Sequence, residues 1–210
     1  MGNRNRYFSQ FPLVLYTLSE TDTFTAVNAT TNIFQRLALR QGFESSPTIF
    51  FDYLIKDDET PDILAHHVYG SADLYWIVLM SNQQTILDPQ SDWPISTQNF
   101  PEFLIHKYGT LSAAMTTVTR YEKTIVCNHS SGSISNTVTT IDQTEYNTLS
   151  SVVPVAYSFS DGATASVTTT RSIVYAIDHE TLVNEGRRSI RLLEPTLVPQ
   201  VILELGNLLK

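Results

Sequence analysis

The sequence predicts an α+β fold, with a strand–helix–helix unit, flanking helices and a small antiparallel β-rich lobe. Two observations lead to this class. Residues 50–82 show one strand pattern followed by two helix patterns. Residues 116–177 are rich in Thr, Ser and Val and alternate apolar with polar side chains, as antiparallel strands do. A chain of 210 residues is long enough for one core or two small ones.

The N-terminal region combines an aromatic arm with a predicted helix. Residues 7–16 include Tyr7, Phe8 and Phe11, and Pro12 disfavours a helix there, so we expect an extended arm. Its aromatic rings either pack on the chain's own core or contact a neighbouring protein. Apolar side chains at helical spacing then predict a helix over residues 28–40.

The unit at residues 50–82 organises the rest of the chain. Phe50 to Ile55 is aromatic and apolar enough for a strand. Thr60 is a suitable N-cap, and Pro61 fits the first helical position because its missing N–H needs no partner there. Gly70 is expected to end this helix in the left-handed conformation.

A second helix and a loop follow. Residues 74–80 are apolar nearly all round, which predicts a buried helix, and Asn82 closes the unit. Trp93 lies between two turn signals, where it either folds back over a core or anchors an interface. Residues 97–108 then predict a third helix, ended by Gly109.

The remaining chain predicts a β lobe and a helical end. Turn residues at 130–133 and 160–162 predict hairpins, and Asp142 with Glu145 predicts the start of a short helix. A helix over 178–188 and a strand over 189–193 follow. The last helix has a broad apolar face, which packs on the chain's own N-terminal domain or on a subunit partner.

Composition excludes several classes of protein. The net charge of −8 argues against a sequence-independent nucleic-acid binder, which needs clustered Lys and Arg. Cys127 is the single cysteine, so no internal disulfide forms. The longest apolar run is too short to cross a bilayer, and the N-terminus lacks the apolar segment of a signal peptide. We therefore expect a soluble protein made in a cytoplasm.

The sequence contains few signs of catalysis or of cofactor binding. His66 and His67 are adjacent, so on a helix they point about 100° apart and do not share a metal as residues four apart do. The acidic residues 57–59 lack the ligand spacing of a calcium loop and are interpreted as charges at a helix start. Phosphate-binding and nucleophile motifs are absent from the sequence. We predict no catalytic residue, cofactor or metal, and favour a binding or structural role.

The organising unit resembles the lysin motif (LysM). The residues that carry the resemblance are Asp58, Glu59, Thr60, Ile63, Ala65, Tyr69, Gly70 and Asn82. A LysM domain then continues to a Pro-Gly-Gln loop and a second strand, whereas residues 86–94 here read Ile-Leu-Asp-Pro-Gln-Ser-Asp-Trp-Pro. The resemblance implies a glycan-binding groove, to which Asp57, Asp58, Thr60 and Asn82 would contribute.

A wider resemblance covers residues 7–115 and 175–210. Its motifs are Tyr7–Pro12, Asn32–Arg36, Phe51–Tyr53, Asp88–Pro89, Asp92–Pro94, Phe103–Gly109 and Asn184–Leu193. In this order they resemble the baseplate wedge subunit of contractile-tailed bacteriophages, which carries a LysM-like domain. Residues 116–174 are outside the resemblance.

This resemblance implies a non-enzymatic virion protein, made in the host cytoplasm and placed in the tail baseplate. Its implied partners are other wedge and tail proteins in a sixfold hetero-oligomer, with no nucleic acid and no membrane. Nine of the thirteen basic residues are Arg, which suits protein interfaces. The interface residues we predict are Tyr7, Phe8, Phe11, Trp93, Arg187, Arg188 and Arg191.

The predicted domain organisation has five segments. They are the arm and helix (1–49), the LysM-like domain (50–95), a helical connector (96–116), the Thr/Ser-rich β lobe (117–177) and a helical docking segment (178–210). Two alternative functions stay open at this point. The first is a module that binds cell-wall glycan, and the second is a tail-associated wall hydrolase with a carboxylate pair.

Overall fold

The computed structural model describes residues 6–16, 28–33, 48–160 and 162–209. The strands are β1 (Leu13–Tyr16), β2 (Asn28–Thr31), β3 (Phe50–Leu54), β4 (Val118–His129), β5 (Ile134–Ile141), β6 (Val152–Ser158), β7 (Thr164–Tyr175) and β8 (Ser189–Leu193). The helices are α1 (Pro61–Tyr69), α2 (Tyr75–Ser81), α3 (Phe100–Tyr108), α4 (Leu111–Thr116), α5 (Gln143–Thr148), α6 (Ala176–Gly186) and α7 (Val198–Leu208). The mixture of helices with small antiparallel sheets confirms the α+β class.

The chain divides into two compact units. The first unit contains residues 1–96 and 185–210, and the second contains residues 97–184. In chain order, the second unit is therefore an insertion between the two halves of the first. The five-segment division stays a prediction.

The first unit contains a two-stranded antiparallel sheet of β3 and β8. Phe50 lies opposite Leu193 and Leu54 opposite Ser189. The strand predicted at 189–193 is confirmed, and it joins β3 because Ile190 and Leu192 bury their side chains on one face. The strand that pairs with β3 therefore comes from the C-terminal part of the sequence.

The hydrophobic core of the first unit draws on both halves of its sequence. Phe11 from the N-terminal region and Leu205 and Leu209 from the C-terminal helix belong to the same cluster of buried side chains. The other buried members are Phe50, Ile55, Leu64, Ala65, Leu74, Trp76, Ile77, Val78, Ile86, Ile190, Leu192, Leu193 and Val198. The last helix thus docks on its own domain.

Helix α1 begins and ends where the sequence predicts. Pro61 occupies its first position, and Gly70 ends it with φ of +76°, a conformation that glycine adopts without strain. Thr60 has the extended backbone of an N-cap, but its side chain does not cap the helix. Its hydroxyl donates instead to Asp62 Oδ1 at 2.5 Å.

Two predictions for the N-terminal region were wrong. Residues 7–10 form a 3₁₀ helix instead of an extended arm, and the Ser9 hydroxyl supports it by donating to the Arg6 carbonyl at 2.7 Å. Residues 28–31, predicted as the start of a helix, form β2 and pair antiparallel with β1. Thr30 and Thr31 are β-branched and favour extended backbone, which is consistent with a strand at residues 28–31. Residues 34–40 of that predicted helix lie outside the described residues.

The second unit contains an antiparallel sheet of four strands in the order β5–β4–β7–β6. Both predicted hairpins are confirmed, with Gly132 and Gly162 at φ of +86° and +84° in the turns. The predicted cap of α5 is also confirmed, since the Glu145 N–H donates to Asp142 Oδ1 at 2.7 Å. Among the described residues, no helix is long and apolar enough to cross a bilayer.

Candidate interaction site

The loop between β3 and α1 is held by a buried carboxylate. Glu59 accepts hydrogen bonds from the Tyr53 hydroxyl at 3.0 Å and from the Lys56 backbone N–H at 3.1 Å. His67 Nδ1 lies 3.3 Å from the other carboxylate oxygen. Burial, together with the hydrogen bond to Glu59, raises the pKa of Tyr53. These bonds satisfy Glu59 within its own unit, so it fixes the shape of the loop.

Arg188 connects the C-terminal half of the first unit to the same loop. Its guanidinium donates to Asp57 Oδ1 at 3.0 Å, to Glu185 at 3.0 Å and to the Ile55 carbonyl at 3.4 Å. Desolvation disfavours the charged guanidinium, but the bonds to Asp57 and Glu185 outweigh it and raise the pKa of Arg188. Only 10% of this side chain is exposed. Arg188 and Asp57 are therefore paired with each other inside the unit.

Asn82 is buried at the end of α2, and both the nitrogen and the oxygen of its side-chain amide form hydrogen bonds. Its Nδ2 donates to the Val78 carbonyl at 2.8 Å and to the Arg191 carbonyl at 2.7 Å. Its Oδ1 accepts from the Arg191 backbone N–H at 2.9 Å. The amide therefore pairs with the outer edge of β8 as a third strand would.

Trp93 folds back onto the start of α1. The chain reverses direction just before it, because Asp92 accepts hydrogen bonds from the backbone N–H groups of Leu87 and Asp88, both at 2.9 Å. These two bonds lower the pKa of Asp92. The Trp93 indole N–H then donates to the Glu59 carbonyl at 2.8 Å, and its ring packs against the core of the unit.

The predicted aromatic arm divides between core and surface. Phe11 is buried, and the Tyr7 ring lies 5.5 Å from the ring of Trp76. Phe8 is 50% exposed. Of the predicted interface residues in this arm, the structure therefore brings two into the chain's own core and leaves one at the surface.

The other predicted arginines, Arg187 and Arg191, are half-buried. Arg187 donates to the Ser91 carbonyl at 2.8 Å, and the Arg191 guanidinium lies 5.7 Å from the centre of the Phe50 ring. Arg191 also borders a polar cavity of about 240 Å³. The other polar residues around this cavity are Asp52, Ser81, Asn82, Gln83, Gln84, Thr85 and Ser189.

Three of the four predicted groove residues hydrogen-bond within the chain. Asp57 forms an ion pair with Arg188, and the Thr60 hydroxyl donates to Asp62. The Asn82 amide hydrogen-bonds the backbone of β8. Asp58 is exposed at the start of the loop, with φ of +59°. The Trp93 indole N–H donates to the Glu59 carbonyl in the same loop. Within the described residues, no group of three or more His, Cys, Asp or Glu side chains is arranged to hold a metal ion.

One exposed apolar surface among the described residues of the first unit was not among the predicted site residues. It is a ribbon formed by β1 and β2, called here the β1–β2 ribbon. Leu13 and Leu15 share one face and are 67% and 68% exposed, while Val14 and Tyr16 share the other and are about 40% exposed. The sequence signal was present, since four consecutive apolar residues follow Pro12, but it does not distinguish buried from exposed strands.

Taken together, the fold and the site define an α+β protein in which Asp57, Thr60 and Asn82 hydrogen-bond within the chain and the leucines of the β1–β2 ribbon are exposed. The chain belongs to the base plate wedge protein 53 family of phages, because the sequence model of that family matches residues 7–128. A search of curated proteins gives no match. Membership in this family assigns the chain a structural role in the baseplate of the phage tail, within the virion. The match includes the β1–β2 ribbon, the strand–helix–helix unit and Trp93.

Proposed function

We propose that this chain is a non-enzymatic subunit that binds neighbouring wedge proteins and holds them in the sixfold baseplate of a contractile tail. The family supports the baseplate role. The observation that carries the finer proposal is the β1–β2 ribbon, whose leucines at 13 and 15 are two-thirds exposed although the unit has a well-formed core elsewhere. A soluble monomer rarely exposes such a patch without a partner for it.

The structure of the ribbon supports this function in a second way. A two-stranded ribbon is marginally stable in water unless a third strand or another surface packs on it. None of the eight ribbon residues is charged. A neighbouring wedge protein that covers the leucine face would therefore remove apolar surface from water at no cost in desolvated charge.

The LysM-like unit acts, in this proposal, as a scaffold. Strand β3, helices α1 and α2, and strand β8 give the strand–helix–helix–strand order expected of a LysM fold, with the second unit inserted before the last strand. The side chains of Asp57, Thr60 and Asn82 form hydrogen bonds within the chain. The unit therefore presents a fixed shape to protein partners, and little of the polar groove that a glycan would need.

Glycan binding is the second candidate, and one observation favours it. The polar cavity beside Asn82 contains amides, hydroxyls and an arginine, which are groups that bind sugars. Its volume of about 240 Å³ is below the usual range of ligand pockets. A pull-down on insoluble peptidoglycan tests this candidate directly. Retention that is lost when Gln84 is changed to Ala would support it against the protein-binding function.

The test of the leading proposal is co-purification with the other baseplate wedge proteins of the same phage. Wild-type chain is expected to bind them, and a Leu13→Asp, Leu15→Asp double variant is expected to lose binding at least tenfold, because charged groups would be buried at the contact. Leu87→Asp is the matched control, since Leu87 is 82% exposed in a loop of the same unit. Absence of binding by the wild-type chain would contradict the proposal.

A further inference from the structure

Strand β5 forms one edge of the four-stranded sheet in the second unit. We propose that this edge binds β5 of a second copy of the same chain, antiparallel, about a twofold axis at Val138. The two sheets would then join into one sheet of eight strands. This inference goes beyond the proposed baseplate function and does not depend on it.

The two edge strands of the sheet differ in whether they can pair with a further strand. Strand β6, at one edge, contains Pro154, which has no N–H to offer and blocks strand addition. Strand β5, at the other edge, reads Ile-Ser-Asn-Thr-Val-Thr-Thr-Ile. It contains no proline, no charge and no bulge in its pairing with β4. The usual devices that protect an edge are thus present on β6 and absent from β5.

The hydrogen-bond phase of β5 determines which of its backbone groups point outward. At the hairpin, the His129 N–H donates to the Ser133 carbonyl at 2.9 Å. Bonded pairs recur at every second residue of an antiparallel ladder, so the odd-numbered residues of β5 bond β4. The N–H and C=O groups of Asn136, Val138 and Thr140 therefore point away from the sheet, and within the described residues they have no hydrogen-bond partner.

With this alternation of hydrogen-bonded residues, β5 of one copy can pair with β5 of a second copy. In an antiparallel pair, directly opposed residues must lie on the same face of the sheet, so the two residue numbers must add to an even sum. A twofold axis at Val138 meets this condition and places Val138 of one copy opposite Val138 of the other, and Asn136 opposite Thr140. The twofold axis repeats the Asn136–Thr140 pair, so there are three pairs in all, and each uses outward-pointing groups. Each pair exchanges two backbone hydrogen bonds, which gives six across the axis.

A second copy fits this edge better than a dissimilar partner. The chain carries a net charge of −8, so two copies repel each other at most surfaces, but the eight residues of β5 bring no charge to the contact. Strand β5 also begins at residue 134, beyond the match to the wedge family at residues 7–128. A partner shared across the family is therefore not expected to supply the complementary strand.

Sedimentation equilibrium of the purified full chain tests the proposal. Strand addition alone makes a small interface, so we expect reversible association of the 23.6 kDa monomer into dimers at about 100 µM. Val138→Pro should raise the dissociation constant at least about tenfold, because it removes the central pair of bonds. The variant should still fold, since the N–H it removes points outward.

Ala156→Pro is the matched control. It places a proline on the opposite edge strand β6, two residues after Pro154 and in the same phase, and should leave the dissociation constant unchanged. A wild-type chain that stays monomeric, or a Val138→Pro dimer as tight as the wild type, would overturn the proposal.

A disulfide test checks the register in a Cys127→Ser background, where no other cysteine remains. Cysteines introduced at position 138 would lie about 5.5 Å apart between their Cα atoms, within the range that a disulfide spans. Val138→Cys should therefore oxidise to a covalent dimer. Ile134→Cys should not, because its two copies would be about 27 Å apart along the strands. Equal crosslinking of both variants would contradict the proposed register.

Discussion

The side-chain amide of Asn82 pairs with both backbone groups of Arg191, at 2.7 Å to the carbonyl and 2.9 Å from the N–H. These residues are 109 positions apart. The pairing closes the outer edge of β8 and joins the two halves of the first unit across the insertion. A single amide thus satisfies the backbone N–H and C=O of one residue at this edge, as a third strand would do along the whole sheet.

The first prediction concerns this amide. Asn82→Ala should lower the free energy of unfolding by about 2–4 kcal/mol, because three hydrogen bonds are lost and buried backbone groups are left without partners. Chemical denaturation of the two proteins measures the difference. Asn207→Ala is the control, since Asn207 is exposed on α7, and should change stability by less than about 0.5 kcal/mol. Equal effects of the two substitutions would show that Asn82 does not hold β8.

The second prediction separates the hydrogen bond of Trp93 from its packing. Trp93→Phe keeps an aromatic ring but removes the N–H that donates to the Glu59 carbonyl, so it should cost about 1 kcal/mol of unfolding free energy. Trp93→Ala should cost more, because the ring packs on the core. Thermal unfolding of both variants compares them. A phenylalanine variant as stable as the wild type would mean that the bond contributes nothing.

The third prediction is a coupling between Arg188 and Asp57. A double-mutant cycle with Arg188→Met and Asp57→Asn should give a coupling free energy of about 0.5–1.5 kcal/mol, kept small by the partial exposure of Asp57. The coupling should decrease in high salt, since Asp57 is 44% exposed. Zero coupling at low salt would argue that Arg188 acts through Glu185 and the Ile55 carbonyl alone.

The fourth prediction concerns pH and the second unit. Glu180 is buried, which alone would raise its pKa, but hydrogen bonds from Lys107 and Tyr108, both 2.8 Å, lower the pKa below its ordinary value of 4.5. The unfolded chain therefore takes up this proton at a higher pH than the folded chain. The stabilisation is complete above pH 4.5 and is lost as the pH falls below it.

Denaturation at a series of pH values checks this sign. Glu180→Gln should make the free energy of unfolding depend less steeply on pH below 4.5 than it does in the wild type. A slope that is the same in the Glu180 variant and the wild type would refute the assignment.

Local signals predicted most of the fold. Gly70, Gly109 and the two hairpin glycines mark real ends and turns, because left-handed backbone is a property of single residues. The alternation in residues 118–175 predicted all four strands of the second unit. The pairing of β3 with β8 was not predicted, since it joins segments about 140 residues apart and the sequence of neither strand specifies its partner.

The site was less predictable, because it depends on tertiary contacts. Asp57, Asp58 and Glu59 are chemically similar neighbours, yet Glu59 is buried under Tyr53, Asp57 pairs with Arg188, and Asp58 stays exposed. An arginine at position 188 is equally suited to a partner or to its own core, and composition does not distinguish these cases. The β1–β2 ribbon was missed because exposure of an apolar strand is decided by what the rest of the chain covers.

The most direct test of the central claim is a photocrosslink from the ribbon in the assembled particle. A photoreactive amino acid placed at Leu15 in infectious virions should form covalent adducts with another baseplate protein, identified by mass spectrometry. The same group at Leu87, an exposed leucine of the same unit, is the control and should form few. Virions that carry the chain but give no adduct from Leu15, or adducts only from Leu87, would contradict the claim that this ribbon binds a neighbouring wedge protein.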